Sequence, residues 1–137
     1  MKEIILLICL IIQGVIDWKY KRIPICLSVL GGCIGVAFCV LQERPMVNIV
    51  VACMPGVLML CFSKITKEVL GYGDGIVFIM MGLYLSIEKI IAIGLLAFFI
   101  AGITALILLV FFHKKGSYQI AFLPFLSVAY IMDFLWK

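Results

Sequence analysis

Two aspartates are the residues of this sequence best placed to do chemistry. Asp74 lies in Val69-Leu70-Gly71-Tyr72-Gly73-Asp74-Gly75-Ile76-Val77, among three glycines, where an apolar run from Ile76 to Ile87 begins. Asp17 closes an earlier apolar run, Ile4 to Ile16. A carboxylate at such a depth in an apolar chain is expensive, so it is either compensated or functional. Two carboxylates brought together in a partly desolvated site cannot both ionise easily: one keeps its proton and the other stays charged. Such a pair supplies an acid and a base at neutral pH, as needed to activate water against a peptide bond. The charged member takes a proton from water, and the neutral member hydrogen-bonds to the scissile carbonyl. No serine–histidine or cysteine–histidine set competes for this role. The one histidine, His113, ends an apolar run beside Lys114 and Lys115 and reads as a loop residue.

From Gly71-Tyr72-Gly73-Asp74 alone, two readings are open. In one, Asp74 is a helix-start charge favoured by the helix dipole. In the other, Gly71 and Gly73 shape a site, by close helix approach or by a locally unwound backbone that admits water and an extended substrate. Unwound backbone in a membrane is tolerable only where it lines a wet cavity or is covered by protein. Asp17, taken alone, fits a structural charge at the end of a span.

The elements that must position these acids follow from composition. The chain has 137 residues, 66% of them apolar and 13% charged, with a mean hydropathy of +1.33. Soluble domains are near 45–50% apolar and about 25% charged. An all-α polytopic membrane bundle is therefore expected, forming a single integral-membrane domain over residues 1–137. The net charge of +4 includes no basic tract of the nucleic-acid-binding kind. Cys9, Cys26, Cys33, Cys39, Cys53 and Cys61 form no C-x-x-C pair and sit in apolar runs, so they read as small buried hydrophobes. Neither a zinc site nor a disulfide framework is expected.

About six spans are predicted, each near the ~20 residues that a ~30 Å hydrocarbon core requires. They are Ile4–Ile16, Ile23–Leu41, Met46–Phe62 with a kink at Pro55-Gly56, Val69–Ile87, Ile90–Phe112, and Tyr118–Trp136 interrupted by Pro124. Gln13, Gly14 and Asp17 stand at the end of the first run, where a signal peptide would carry Ala-x-Ala, so that run is expected to be retained. Glu88-Lys89 is expected to mark a tight turn, and short connections imply that successive helices are antiparallel neighbours. Lys19, Lys21, Arg22, Lys64, Lys67, Lys114 and Lys115 fall on one side, against Lys2, Arg44, Lys89 and Lys137 on the other. The first side is expected to be cytoplasmic, with both termini outside. This topology puts Asp17 and Asp74 at the same membrane face and Asp133 at the opposite one, as a helix-end charge.

Taken together, the two acidic sites resemble the type IV prepilin peptidases, intramembrane aspartic proteases of the Gly-x-Gly-Asp class. Asp17-Trp18-Lys19-Tyr20-Lys21-Arg22-Ile23-Pro24 is similar to the family's first motif, an aspartate followed by basic residues and Arg/Lys-Ile-Pro. Gly71-Tyr72-Gly73-Asp74 matches the second, and Phe122-Leu123-Pro124-Phe125-Leu126 is similar to the Pro-Phe-Leu segment of the last helix. Two positions depart from the pattern. Ile25 stands where the family often has Asn or Asp, and Ile76 where it often has a lysine.

The resemblance implies that Asp17 and Asp74 are catalytic and that Gly71 and Gly73 shape the site. It implies cleavage of a short basic leader from prepilin-like precursors (pilin, pseudopilin or archaellin) at the cytoplasmic membrane face. The substrate would present an apolar N-terminal helix, and no metal or organic cofactor is needed. The sequence has no paired C-x-x-C motifs, so no N-terminal methyltransferase domain is expected and the chain resembles a short, peptidase-only form. Lys19, Lys21 and Arg22 either set topology or tune Asp17. The main rival is a small membrane transporter or ion/proton channel using the same two aspartates; a third reading is a non-catalytic assembly partner in a secretion or pilus system. The oligomeric state is not legible in the sequence.

Overall fold

A computed structural model describes residues 2–21, 23–65, 71–112 and 121–136. These form six helices: α1 (Lys2–Tyr20), α2 (Ile25–Leu41), α3 (Met46–Ile65), α4 (Tyr72–Tyr84), α5 (Ile87–Phe112) and α6 (Leu123–Trp136), with no strand among the described residues. The expected all-α class is present. Two helices, α3 and α5, are long and apolar enough to cross a membrane. On α5, Ile91, Leu95, Phe99, Ile103, Leu106 and Val110 all face outward. A helix that is apolar all round, with this much of its surface facing outward, fits a lipid environment.

The organising element is α4, which is shorter than the predicted Val69–Ile87 span. At 13 residues it is about 20 Å long. It buries Val77, Phe78, Met80, Met81 and Tyr84 as well as Asp74. Its N-terminal limit adjoins residues 66–70, which lie outside the described residues. Its C-terminal limit has a visible cause: Arg44 donates to the carbonyls of Leu83 (2.9 Å) and Leu85 (3.1 Å), and the Cys39 thiol also donates to Leu83 O at 3.1 Å. These donors satisfy carbonyls that a helix end leaves open. The chain therefore turns at Leu85-Ser86, and Glu88-Lys89, expected as a turn, lie in the first turn of α5. An acidic residue there suits the helix dipole.

Successive helices are neighbours, as expected, for α1/α2, α3/α4, α4/α5 and α5/α6, but α2 and α3 have at most a marginal contact. Instead, α2 and α3 both pack on α4. The α3/α4 pair is antiparallel, since Gly56 faces Ile79 and Gly82 faces Ala52. A Cβ on Gly56 would come within 2.5 Å of the Ile79 backbone nitrogen, so the two backbones are nearly in contact. Such small-residue contact is how helices associate in lipid, where apolar side chains gain little by leaving their surroundings. The α3 helix continues through Pro55 from Met46 to Ile65. Against α2, the Tyr84 hydroxyl donates to Gly31 O at 2.6 Å.

The remaining wall is α1 against α6. They run antiparallel, with Asp17 near Leu123, Gly14 near Ser127, and the Tyr130 hydroxyl donating to Glu3 O at 3.2 Å. Pro124, expected to interrupt a span, lies in the first turn of α6, where its missing N–H costs no intrahelical bond. The predicted start at Tyr118 lies outside the described residues, as do Arg22, Lys67 and His113–Lys115. The cysteines are all free, but Cys26, Cys33 and Cys61 are exposed rather than buried, on faces that lipid would cover.

Candidate active site

Asp17 lies in the last turn of α1, the end where the helix dipole disfavours an anion. It is only 6% exposed. Compensation comes from another helix: Asp17 Oδ2 accepts the N–H of Leu123, the first residue of α6, at 3.3 Å. That N–H belongs to the set a helix start leaves unpaired. A carboxylate at the wrong end of its own helix thus caps the right end of a distant one. The α1 helix itself closes with Lys21 in the left-handed region (φ 49°), its N–H bonded to Asp17 O at 2.8 Å.

Asp74 lies in the first turn of α4 and is 8% exposed. Gly71 is the N-cap residue, with φ −57°, and Asp74 N–H donates to its carbonyl at 3.0 Å. The carboxylate folds back over this residue: a Cβ on Gly71 would lie 2.5 Å from Asp74 Oδ2. Of the two roles open for the glycines, close approach is what the structure has. No described glycine has positive φ, and Gly73 is helical.

Gly73 connects the two motifs. A Cβ there would meet Ile23 at 2.6 Å (Cδ1) and 2.7 Å (Cβ). The isoleucine of Arg22-Ile23-Pro24 therefore fills the space that the missing side chain of Gly73 leaves. This contact joins the segment just after α1 to the start of α4, and α1 and α4 also pack against each other directly. The third sequence likeness joins the same place. Leu123 meets Asp17, and the Phe122 ring stacks near Phe98 (4.6 Å between centroids) and Phe78 (6.3 Å).

Asp133 does not join this group. It pairs with Lys89 at 3.7 Å, near the start of α5 and the far end of α6, with both side chains about one-third exposed. Its expected place away from the two acids is met. Spacing alone did not single out Ile23 or the Leu123 N–H as partners, nor Arg44 as the cap of α4. Gln13 was legible in principle, as an amide one helical turn before Asp17 inside an apolar run.

The fold is all-helical among the described residues, with two buried acids at neighbouring helix ends and two helices long and apolar enough to cross a membrane. The chain belongs to the type IV leader peptidase family, whose pattern it matches over residues 4–110. No curated protein matches it. No solved structure does either.

Proposed function

We propose that this chain is an intramembrane aspartic endopeptidase that removes the leader from prepilin-like precursors, with Asp17 and Asp74 as the catalytic pair. One observation carries the proposal: two buried carboxyl groups, 57 positions apart in sequence, sit at helix ends that the Ile23–Gly73 contact joins. Family membership supports leader-peptide cleavage in general. The charged carboxylate takes a proton from water, whose oxygen attacks the scissile carbonyl. The neutral carboxyl hydrogen-bonds to the carbonyl oxygen as it gains charge.

Both α4 and α6 begin beside the pair. An extended substrate segment approaches from that end, where Gly71 leaves the Asp74 carboxyl room. The lysine and arginine bias makes that end cytoplasmic, in a multi-pass arrangement with both termini outside. The apolar outer faces suit a substrate whose own N-terminal helix lies in the bilayer.

The test is co-expression with a prepilin-like protein from the same genome. Asp17→Asn and Asp74→Asn are each expected to abolish processing while the protein still inserts and folds. Full processing by either folded variant would overturn the pair.

A further inference from the structure

Gln13 is 0% exposed, and its carbonyl oxygen Oε1 has no hydrogen-bond partner. Its Nε2 donates to Met80 Sδ at 3.8 Å, and a thioether is a weak acceptor. An amide this deep in an apolar bundle with no strong partner is unusual, since buried polar atoms are almost always satisfied. Gln13 and Asp17 are four residues apart on α1 and both are buried. Residues at that spacing share a helix face, and a glutamine there can hydrogen-bond to an aspartate one turn on. The Asp17 carboxyl already spends Oδ2 on the Leu123 N–H.

We propose that Gln13 is a positioning residue for Asp17, its side-chain amide being the hydrogen-bond partner of the α1 carboxyl in both protonation states. When the carboxyl is neutral, its O–H donates to Gln13 Oε1. When it is charged, a half-turn about χ3 exchanges the two ends of the amide, and Nε2 donates instead. The same side chain can therefore hold the carboxyl in one orientation on both sides of a proton transfer, which neither a methionine nor a fixed donor can do. This inference rests on Asp17 being one of the two catalytic acids. Its rival is Ser28, also buried with an unpartnered hydroxyl on α2. Ser28 lies one turn before Gly31, where a Cβ would come within 2.6 Å of Met80 Sδ.

Gln13→Met keeps the side-chain volume and removes the amide. Infrared difference spectra between acidic and neutral pH identify the neutral Asp17 carboxyl as the C=O band that Asp17→Asn abolishes. The band is expected to move to higher frequency in Gln13→Met and to stay in place in Ser28→Ala. In the processing assay, Gln13→Met is expected to lower kcat about threefold to tenfold, the range of one lost hydrogen bond, with KM unchanged. An unmoved band in Gln13→Met overturns the inference, as does an equal shift in Ser28→Ala. The spectra require no turnover, so a wild-type chain that cleaves nothing would defeat the peptidase proposal and still leave the Gln13 pairing decided.

If Gln13→Met does not fold, the wild-type protein provides the second measurement. With 15N-glutamine labelling, Gln42→Ala and Gln119→Ala assign two of the three side-chain amides. The remaining one, Gln13, must shift as Asp17 titrates and must stop doing so in Asp17→Asn. A Gln13 resonance that ignores Asp17 overturns the pairing.

Discussion

The Asp17 carboxylate accepts the backbone N–H of Leu123 at 3.3 Å, across 106 positions of sequence. The acid of the first motif is thereby the cap of the last helix. The stability that Asp17 supplies is then separable from the chemistry proposed for it. Asn retains a carbonyl oxygen for the Leu123 N–H, so Asp17→Asn is expected to lose processing and keep most of its thermal stability in detergent. Leu at this position strands a buried N–H and should lower stability by about 1–3 kcal/mol, seen as a lower melting temperature.

Ile23 and Gly73 make the second joint. The added methyl of Gly73→Ala would stand 2.6–2.7 Å from Ile23, closer than atoms pack, so α1 and α4 must part. The expected result is a loss of about 1–3 kcal/mol together with a steep fall in processing, because the acids part with their helices. Adding Ile23→Ala removes the outer methyls but not the Cβ at 2.7 Å. The double variant should therefore recover only part of the processing. Full recovery would show that the contact is looser than the geometry states.

At the other end of α4, Arg44 supplies two donors to the Leu83 and Leu85 carbonyls. Arg44→Met leaves Leu83 O with the Cys39 thiol and removes the Arg44 donor from Leu85 O, and a cost of about 1.5–3 kcal/mol is expected from the loss of charged hydrogen bonds. Lysine has no fork to span both carbonyls, so Arg44→Lys should restore only part of the loss. Hydrogen exchange at the last turn of α4 is the direct readout, and unchanged protection there would refute the capping role.

Glu43 follows α2 with φ 48°, a conformation that costs an L-residue roughly 1 kcal/mol and glycine almost nothing. Glu43 is also exposed. Glu43→Gly is therefore expected to raise the melting temperature slightly and leave processing unchanged, a direction opposite to that of the other substitutions.

Much of this protein is legible in its amino-acid order alone. Apolar content decides that the chain belongs with lipid, because so few charges cannot cover a soluble surface. The lone acids in apolar surroundings mark the candidate site for the same reason: each needs compensation. The Ile-Pro and Gly-x-Gly-Asp contexts mark Asp17 and Asp74 by local pattern, and α2, α3 and α5 follow from runs of apolar residues. Only the tertiary structure decided what the acids touch. Gly71-Tyr72-Gly73-Asp74 carries no record that Ile23 fills the gap at Gly73, and nothing near Asp17 names the Leu123 N–H. The α4 helix ends before the predicted Ile87 although the apolar run, broken only by Gly82 and Ser86, continues to that residue, because the donors that stop the helix come from Cys39 and Arg44, about 40 positions earlier. Patterning reports the solvent each residue prefers. Which backbone groups meet which side chains is settled by packing between helices, a long-range competition that no local window contains.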